Sequence, residues 1–448
     1  MRKLQTFLAV VLSVIFCVSA VALERQPNSI YRARREALAN KTNGGAVLLF
    51  APTEGEGGNA IYGFRQEDNF YYLTGLTAPG AGLMIVPALK PTDSTQSPRP
   101  YVEVLFLPGR NLSQEKWTGP KLDAKSPEIR DRTGFEHVAQ LDAARDELIR
   151  SLPSTRTVVY TELGPTAAST GPIEWLRRAN AFPLGASFQE LRPVIGNLRI
   201  TKDAGEAELI RKASEASAAG HAAAIRFIKP GVGENEVSAL MQYEFMKRGC
   251  ERPAYAPIVG SGFNSTVLHY SQNSNTIKDG DLVVMDVAGE YSMYASDITR
   301  TVPVNGHFTP RQREIYEIVL GAQNAAIQAF KSGVSTIGRT GDHSLHKIAA
   351  DYINTHGKDL HGQPLGPYFI HGLGHYVGLN VHDPGDTAIP LGPGAVFTLE
   401  PGIYIPEEKI GVRIEDIFWV NDKGELVRLS KGMPNTADEV EKLMNSSR

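Results

Sequence analysis

Cysteine is nearly missing from this chain: 448 residues contain two, Cys17 and Cys250. Cys17 lies in an apolar N-terminal segment, and loss of that segment leaves one thiol, which cannot form an internal disulfide. Cys250 is expected to be a buried apolar residue, and no signature of a catalytic cysteine surrounds it. A basic surplus is missing as well. With 46 Lys and Arg against 49 Asp and Glu, a formal net charge of −3 and a pI near 6.4, the chain offers no basic surface to nucleic acid. Two common motifs are also lacking. The zinc-helix pattern HExxH does not occur, and GLGHYVG has one residue too many for the dinucleotide pattern GxGxxG and does not open a helix after a strand.

What is present begins with MRKLQTFLAVVLSVIFCVSAVALERQ, a basic start, an apolar stretch and small residues that permit cleavage after Ala20 or Ala22. It reads as a signal peptide over residues 1–22, implying export to a periplasm or the exterior and no stable membrane span after cleavage. An uncleaved anchor is the alternative. VIFC lacks the small residues of a lipid-attachment signal. GGAVLLFAP, AGLMIVPAL, YVEVLFLPG and TRTVVYTEL predict the strands of an α/β domain over 24–190. ELRPVIGNLRITKD then connects, with 191–202 as the linker, to a second domain over 203–441, followed by a tail at 442–448. Asp203 and Glu206 form a D-x-x-E cap that should start a helix ending before Pro230 and Gly231. His221 on that helix is assigned no chemistry. TPRQREIYEIVLGAQNAAIQAFKSG predicts a similar helix.

Four acids of the second domain occupy unusual contexts. Asp286 lies in LVVMDVAG, Asp297 in MYASDITRTV, Glu400 in AVFTLEPGIYI and Glu415 in GVRIEDIFWV, all runs that predict half-buried strands. One such acid alone is ordinarily a satisfied strand-end residue. Four together with a histidine, His375, could stay ionised only around positive charge, because an isolated buried charge is too costly to keep. Two divalent cations would balance four carboxylates. A carboxylate-rich set with one imidazole and no thiolate favours manganese, magnesium or cobalt over a structural zinc. The connection VAGEYSMYAS is expected to pair its flanking strands and bring Asp286 and Asp297 face to face around one ion. Strict alternation in VRIEDIF would point Arg413 the same way as Glu415, either to orient that acid or to face substrate.

HGLGHYVGLNVHD carries His371, His375 and His382, and its glycines predict an irregular or extended segment. Three histidines within a dozen positions, beside acids of metal-binding type, point to a site.

These stretches carry a resemblance. From about Ile200 to Glu441, HYSQNSNTIKDGDLVVMDVAGEYSMYASDITRTVPVNG, GPYFIHGLGHYVGLNVHD, FTLEPGIY and GVRIEDIFWV fall in the order and spacing of the pita-bread metallopeptidases of the creatinase, aminopeptidase P and prolidase family. The N-terminal GFRQEDNFYYLTGL resembles the corresponding domain of aminopeptidases P and, less closely, of prolidases. NLSQEKWTG, around Trp117, is similar to another family stretch. Packing in the core or between domains is the ordinary expectation for Trp117 and Tyr71, an oligomer contact the sharper one.

The resemblance implies an α+β fold: a pita-bread domain with antiparallel sheet and pseudo-twofold halves, preceded by a smaller α/β creatinase-type domain. It implies two divalent ions per chain, manganese before cobalt or zinc, with Asp286 on one, His375 and Glu400 on the other, and Asp297 and Glu415 bridging. Ions roughly 3.5 to 4 Å apart can hold and acidify a water that hydrolyses an amide. His269, His371 and His382 match the family's substrate-side histidines, and Glu400 is placed to handle the water proton, with Arg413 beside the last ligand.

The expected activity is that of a Xaa-Pro aminopeptidase acting on peptides with proline at the second position, in a homo-oligomer, dimer or tetramer. A Xaa-Pro dipeptidase, or a non-catalytic pita-bread binding protein, is the alternative.

Overall fold

The computed structural model describes residues 23–54, 60–89, 98–152, 157–163 and 186–446, so the expected leader at 1–22 lies outside the described residues. No helix among the described residues is long and apolar enough to cross a membrane.

The N-terminal strands are Ala46–Phe50 (β1), Gly82–Val86 (β2), Val102–Leu107 (β3), Val138–Gln140 (β4), Val158–Thr161 (β5) and Ser187–Glu190 (β6), in one mixed sheet of order β4-β3-β2-β1-β5-β6. Its central strands are apolar throughout because both faces are covered. Val47, Leu49, Leu83 and Ile85 enter one core cluster, while Leu48, Met84, Val104 and Phe106 enter another. Helices α1 (Asn28–Lys41), α2 (Asp68–Thr74), α3 (Leu112–Thr118), α4 (Ile129–Thr133) and α5 (Ala144–Ser151) accompany the sheet among the described residues. Tyr71 is fully buried, as expected. Trp117 is not: it is 88% exposed on a helix that buries none of its residues, which corrects the packing expectation. Seven residues make about two turns, too short a helix for an apolar face to dock unless the core reaches it.

The connector is itself helical, α6 (Arg192–Arg199), and buries Ile195 and Arg199. Asp203 then caps α7 (Ala204–Phe227) through the expected reciprocal pair with Glu206, and Ile228 ends it. Thr309 and Gln312 start α9 (Pro310–Ala329) in the same way, with Pro310 in the first turn. With α8 (Glu234–Lys247) and α10 (Leu345–His356), these helices share one core with the strands of the second domain. Ile225, Val237 and Phe245 pack there with Val283, Met285, Ile315, Val319, Phe397, Ile403 and Val412. The last helix, α11 (Ala437–Asn445), runs past the expected domain end at 441 because Val440 and Met444 are buried.

The strands of this half are short: β7 (Arg252–Pro253), β8 (Ile258–Ser261), β9 (Leu282–Asp286), β10 (Gly289–Tyr291), β11 (Tyr294–Ala295), β12 (Thr299–Pro303), β13 (Val396–Leu399), β14 (Gly402–Ile405), β15 (Ile410–Arg413), β16 (Asp416–Val420) and β17 (Leu426–Arg428). They pair antiparallel in small sheets, β12-β9-β8, β11-β10-β7, β13-β16-β17 and β14-β15. A single bridge between Thr299 and Glu415 joins two of these groups.

Candidate metal centre

All four acids sit where a ladder ends or breaks. Asp286 closes β9, Asp297 precedes β12, Glu400 lies between β13 and β14, and Glu415 between β15 and β16. The expectation of strand interior is therefore corrected. A break frees the backbone to turn the carboxylate inward while the flanking apolar residues keep it buried. The expected face-to-face pair is corrected too: Asp286 stands opposite Thr299, with Asp297 two residues beyond. The intervening residues are taken up by their own hairpin, β10 against β11, whose turn places Ser292 and Met293 at φ 50° and 74°. Nor is GVRIEDIFWV one strand. It leaves β14 after Arg413 and joins β13 at Asp416, and Glu415 falls in the crossing. Arg413 and Glu415 still face the same way, both bonded to the Thr299 hydroxyl.

The side chains nevertheless converge. Oxygens of Asp297 and Glu415 and a ring nitrogen of His375 lie within 4.8 Å of one another. His375 Nε2 is 3.3 Å from Asp297 Oδ2 and 3.4 Å from Glu400 Oε1. The Tyr255 hydroxyl lies 2.6 Å from Asp286 Oδ1 and 2.6 Å from Asp297 Oδ1, tying the first acid to the group. Arg413 donates to Asp286 Oδ2 at 2.7 Å and to the Tyr404 hydroxyl at 2.9 Å. Glu415 Oε2 accepts from Thr299 Oγ1 at 2.6 Å, whereas its buried Oε1 has no hydrogen-bond partner.

That orphan oxygen is the observation against which a cation can be tested, and the set fits one. Four carboxylates face one guanidinium and one imidazole, so the site is short of positive charge however His375 is protonated. Burial and repulsion from Asp297 hold Glu415 well above the usual carboxylate range. Burial raises Asp297 as well, with Asp286 adding to it, and pushes Glu400 up to about 7 against the opposing pull of His375. Burial alone would lower His375, but Asp297 and Glu400 lift it to about 9. Its Nδ1 lies 3.1 Å from the Tyr376 carbonyl, a contact that leaves Nε2 directed at the acids.

The remaining histidines surround this group. The ring of His382 stands perpendicular to that of His375 with centroids 4.3 Å apart, and burial beside His375 lowers its pKa. His371 Nε2 is 2.8 Å from the Tyr404 hydroxyl, and burial with Arg413 nearby lowers it to about 4. Its segment is irregular, as its glycines predicted. His269 is exposed on the loop following the turn Gly262–Thr266. That loop is hung on Glu234, a fully buried carboxylate accepting from Ser261 N at 2.8 Å, Tyr270 Oη at 2.9 Å and Asn275 N at 2.9 Å. His221 is wholly buried and bonds the carbonyl of Val287, the residue after Asp286, at 2.9 Å. Cys250 is buried, which pushes its thiol up to about 12.

Tyr255, Thr299 and Tyr404 escaped the sequence reading. Thr299 was within reach, since it lies two positions from Asp297 at the start of a strand and so shares its side. Tyr404 sits in the apolar run GIYI, and Tyr255 outside any strand, so neither carried a signal.

Comparison with known proteins follows the same division of the chain. Residues 208–422 match the family model described as metallopeptidase family M24, and residues 31–160 match that of the aminopeptidase P N-terminal domain. The chain is 34% identical to the Xaa-Pro aminopeptidase of Escherichia coli, over 93% of this chain and 98% of that one. It is 41% identical to the Xaa-Pro dipeptidase of Pyrococcus furiosus, over 53% of this chain and 65% of that one. The solved structure of Escherichia coli aminopeptidase P with the inhibitor Pro-Leu superposes with a TM-score of 0.81 at 31% identity, covering 95% of this chain and 100% of that one.

Proposed function

Because the chain belongs to metallopeptidase family M24, we propose that its buried acids hold two divalent ions and that it is a Xaa-Pro aminopeptidase, removing the residue before an N-terminal proline bond. The observation that carries this reading is the convergence of Asp297, His375 and Glu415 with one carboxylate oxygen left unpartnered in a buried, acid-rich site. Asp286 would hold one ion, His375 and Glu400 the other, and Asp297 and Glu415 both, with manganese preferred and cobalt or zinc as substitutes. When bound, the ions supply the positive charge that acidifies a water and polarises the scissile carbonyl.

The chain's own groups do the rest. Glu400 takes the proton of the attacking water, and His269 and His382 hydrogen-bond the tetrahedral oxygen or the leaving proline nitrogen. Arg413 holds Asp286 and Tyr404, and Tyr404 in turn fixes His371 through Nε2 while the Gly372 carbonyl holds its Nδ1, so that burial keeps a neutral, oriented imidazole at the substrate side. The proline nitrogen carries no N–H, so its bond must be positioned by shape and imidazole contacts rather than by an amide donor.

The match of residues 31–160 to the aminopeptidase P N-terminal domain supports removal of one residue from longer peptides. The higher identity to a Xaa-Pro dipeptidase over about half the chain supports the second reading, cleavage of Xaa-Pro dipeptides alone. Protein reconstituted with manganese and assayed on Xaa-Pro and Xaa-Pro-Xaa peptides decides between them. Release of the first residue from tripeptides supports the first reading, and turnover of dipeptides only supports the second. We further propose export through the leader and assembly into a dimer or tetramer.

A further inference from the structure

The segment RQEDN, residues 65–69, belongs to the N-terminal domain yet reaches the segment that carries His375 and His382, at Leu379 and Asn380. Arg65 forks three ways: Nε to Glu290 Oε2 at 2.7 Å, Nη1 to Asp68 Oδ1 at 2.8 Å and Nη2 to the Leu379 carbonyl at 2.6 Å. Asp68 accepts from Asn380 Nδ2 at 3.3 Å, and Asn69 Oδ1 accepts from Arg199 Nη1 at 2.7 Å. Arg199 and Lys202, both on the connector, close on Asp383, with Lys202 Nζ 3.0 Å from Oδ2 and Arg199 Nη2 on Oδ1. The side chains of Lys202 and Asp383 are each 1% exposed. Asp383 also accepts from the Asn380 amide at 3.1 Å, and Asn380 Oδ1 accepts from the amide of His382 at 3.1 Å. The fit is close enough that a Cβ on Gly378 would come within 2.5 Å of Asp383 Oδ2 and 2.9 Å of Lys202 Cε.

Resting on the activity proposed above, we infer that Arg65, Asp68, Arg199, Lys202 and Asp383 are positioning residues. They form a clamp by which the N-terminal domain and the connector hold residues 379–383 and so set the His382 imidazole against His375. None of the five touches the acid cluster through a contact described above; they act through the backbone that carries His382. A buried carboxylate gripped by two cations has few alternative geometries, so the loop is held in one place, and a displacement of about 1 Å at a catalytic group costs up to roughly a hundredfold in rate.

The test pairs Arg65→Gln with His382→Ala. Arg65 is partly exposed and Arg252 remains 3.4 Å from Glu290, so the variant keeps a counter-ion for that buried acid. Asp383→Asn, which keeps the side-chain shape, is the second variant. On a proline tripeptide, Arg65→Gln should lower kcat about tenfold or more with KM and bound manganese unchanged, and should cost less than twofold in the His382→Ala background. In protein loaded with diamagnetic zinc and labelled with 13C at histidine Cε1, the His382 signal, assigned by its absence in His382→Ala, should shift or broaden in both clamp variants while that of exposed His356 stays put. An unmoved His382 signal, or an equal rate loss in both backgrounds, overturns the clamp. If the wild-type protein cleaves no proline peptide, the proposed activity fails, and the His382 signal still decides the inference.

Discussion

Glu415 is the residue on which the metal centre is most sharply testable. One of its oxygens is held by Thr299 and the other is buried with no partner, so an uncharged amide there removes both the ligand and the reason for it. Glu415→Gln, and likewise Asp297→Asn, should lower bound manganese below two ions per chain and abolish peptide release, read by metal analysis beside the assay. Full activity with two ions would refute the bridging role. The protonation states add a second prediction. Glu400 at about 7 and His375 at about 9 both bind protons more tightly in the folded, metal-free chain than when unfolded. Their contribution to stability is present below about pH 4.5 and 6.5 respectively and is lost as pH rises through those folded values. Ions displace the same protons, so the gain in Tm on adding manganese should grow from pH 6 to pH 9. A gain that stays flat, or shrinks, would count against these groups as ligands. The acids themselves were legible in the sequence because charge is conspicuous in an apolar run. Tyr255 and Tyr404 were not, because a tyrosine in such a context predicts packing as readily as a hydrogen bond.

At the scale of the element, strand breaks build the site. The chain passes from β15 to β16 at Glu415, and the crossing is held from below by Arg300. That side chain is fully buried and donates to the carbonyls of Thr299 and Glu415 at 2.7 Å each and to Asp416 Oδ1 at 2.7 Å. Asp416→Ala would strand the guanidinium without its partner in the core. It should cost about 3 to 5 kcal/mol of stability by urea unfolding, although residue 416 itself faces away from the acid cluster. A cost within 1 kcal/mol would mean that Arg428 and solvent compensate. Strand and helix identities were largely readable: the apolar runs of β1, β2, β3 and β5, the helix capped by Asp203 and the helix that follows Thr309 stand where composition and the D-x-x-E cap placed them. Register was not. The pairing of Asp286 with Thr299 rather than Asp297 depends on how many residues the β10–β11 hairpin consumes, a choice that local pattern leaves open.

For the molecule as a whole, the buried contacts among residues 65–69, the connector and residues 379–383 make the N-terminal domain part of the site's scaffold. The same domain carries Trp117 and Leu112 exposed on α3, at 88% and 66%. Large apolar side chains on a helix with no buried residue are what a subunit contact would cover. Light scattering should therefore give two or four chains per particle, and Trp117→Ser with Leu112→Ser should lower that number. A wild-type monomer would remove the proposal.

By itself the sequence determined the α+β class, the two-part organisation and the identity of the buried charged residues proposed to hold a cation. These follow from local composition, from alternation and from the cost of burying charge, all of which act within a few residues. Only the tertiary structure decided which oxygen is left unpaired, which hydroxyl bridges two of the acids, and that a segment some 310 residues upstream grips the histidine loop. Those facts depend on contacts between distant parts of the chain, and such contacts form only once the buried apolar surfaces have chosen how the elements pack.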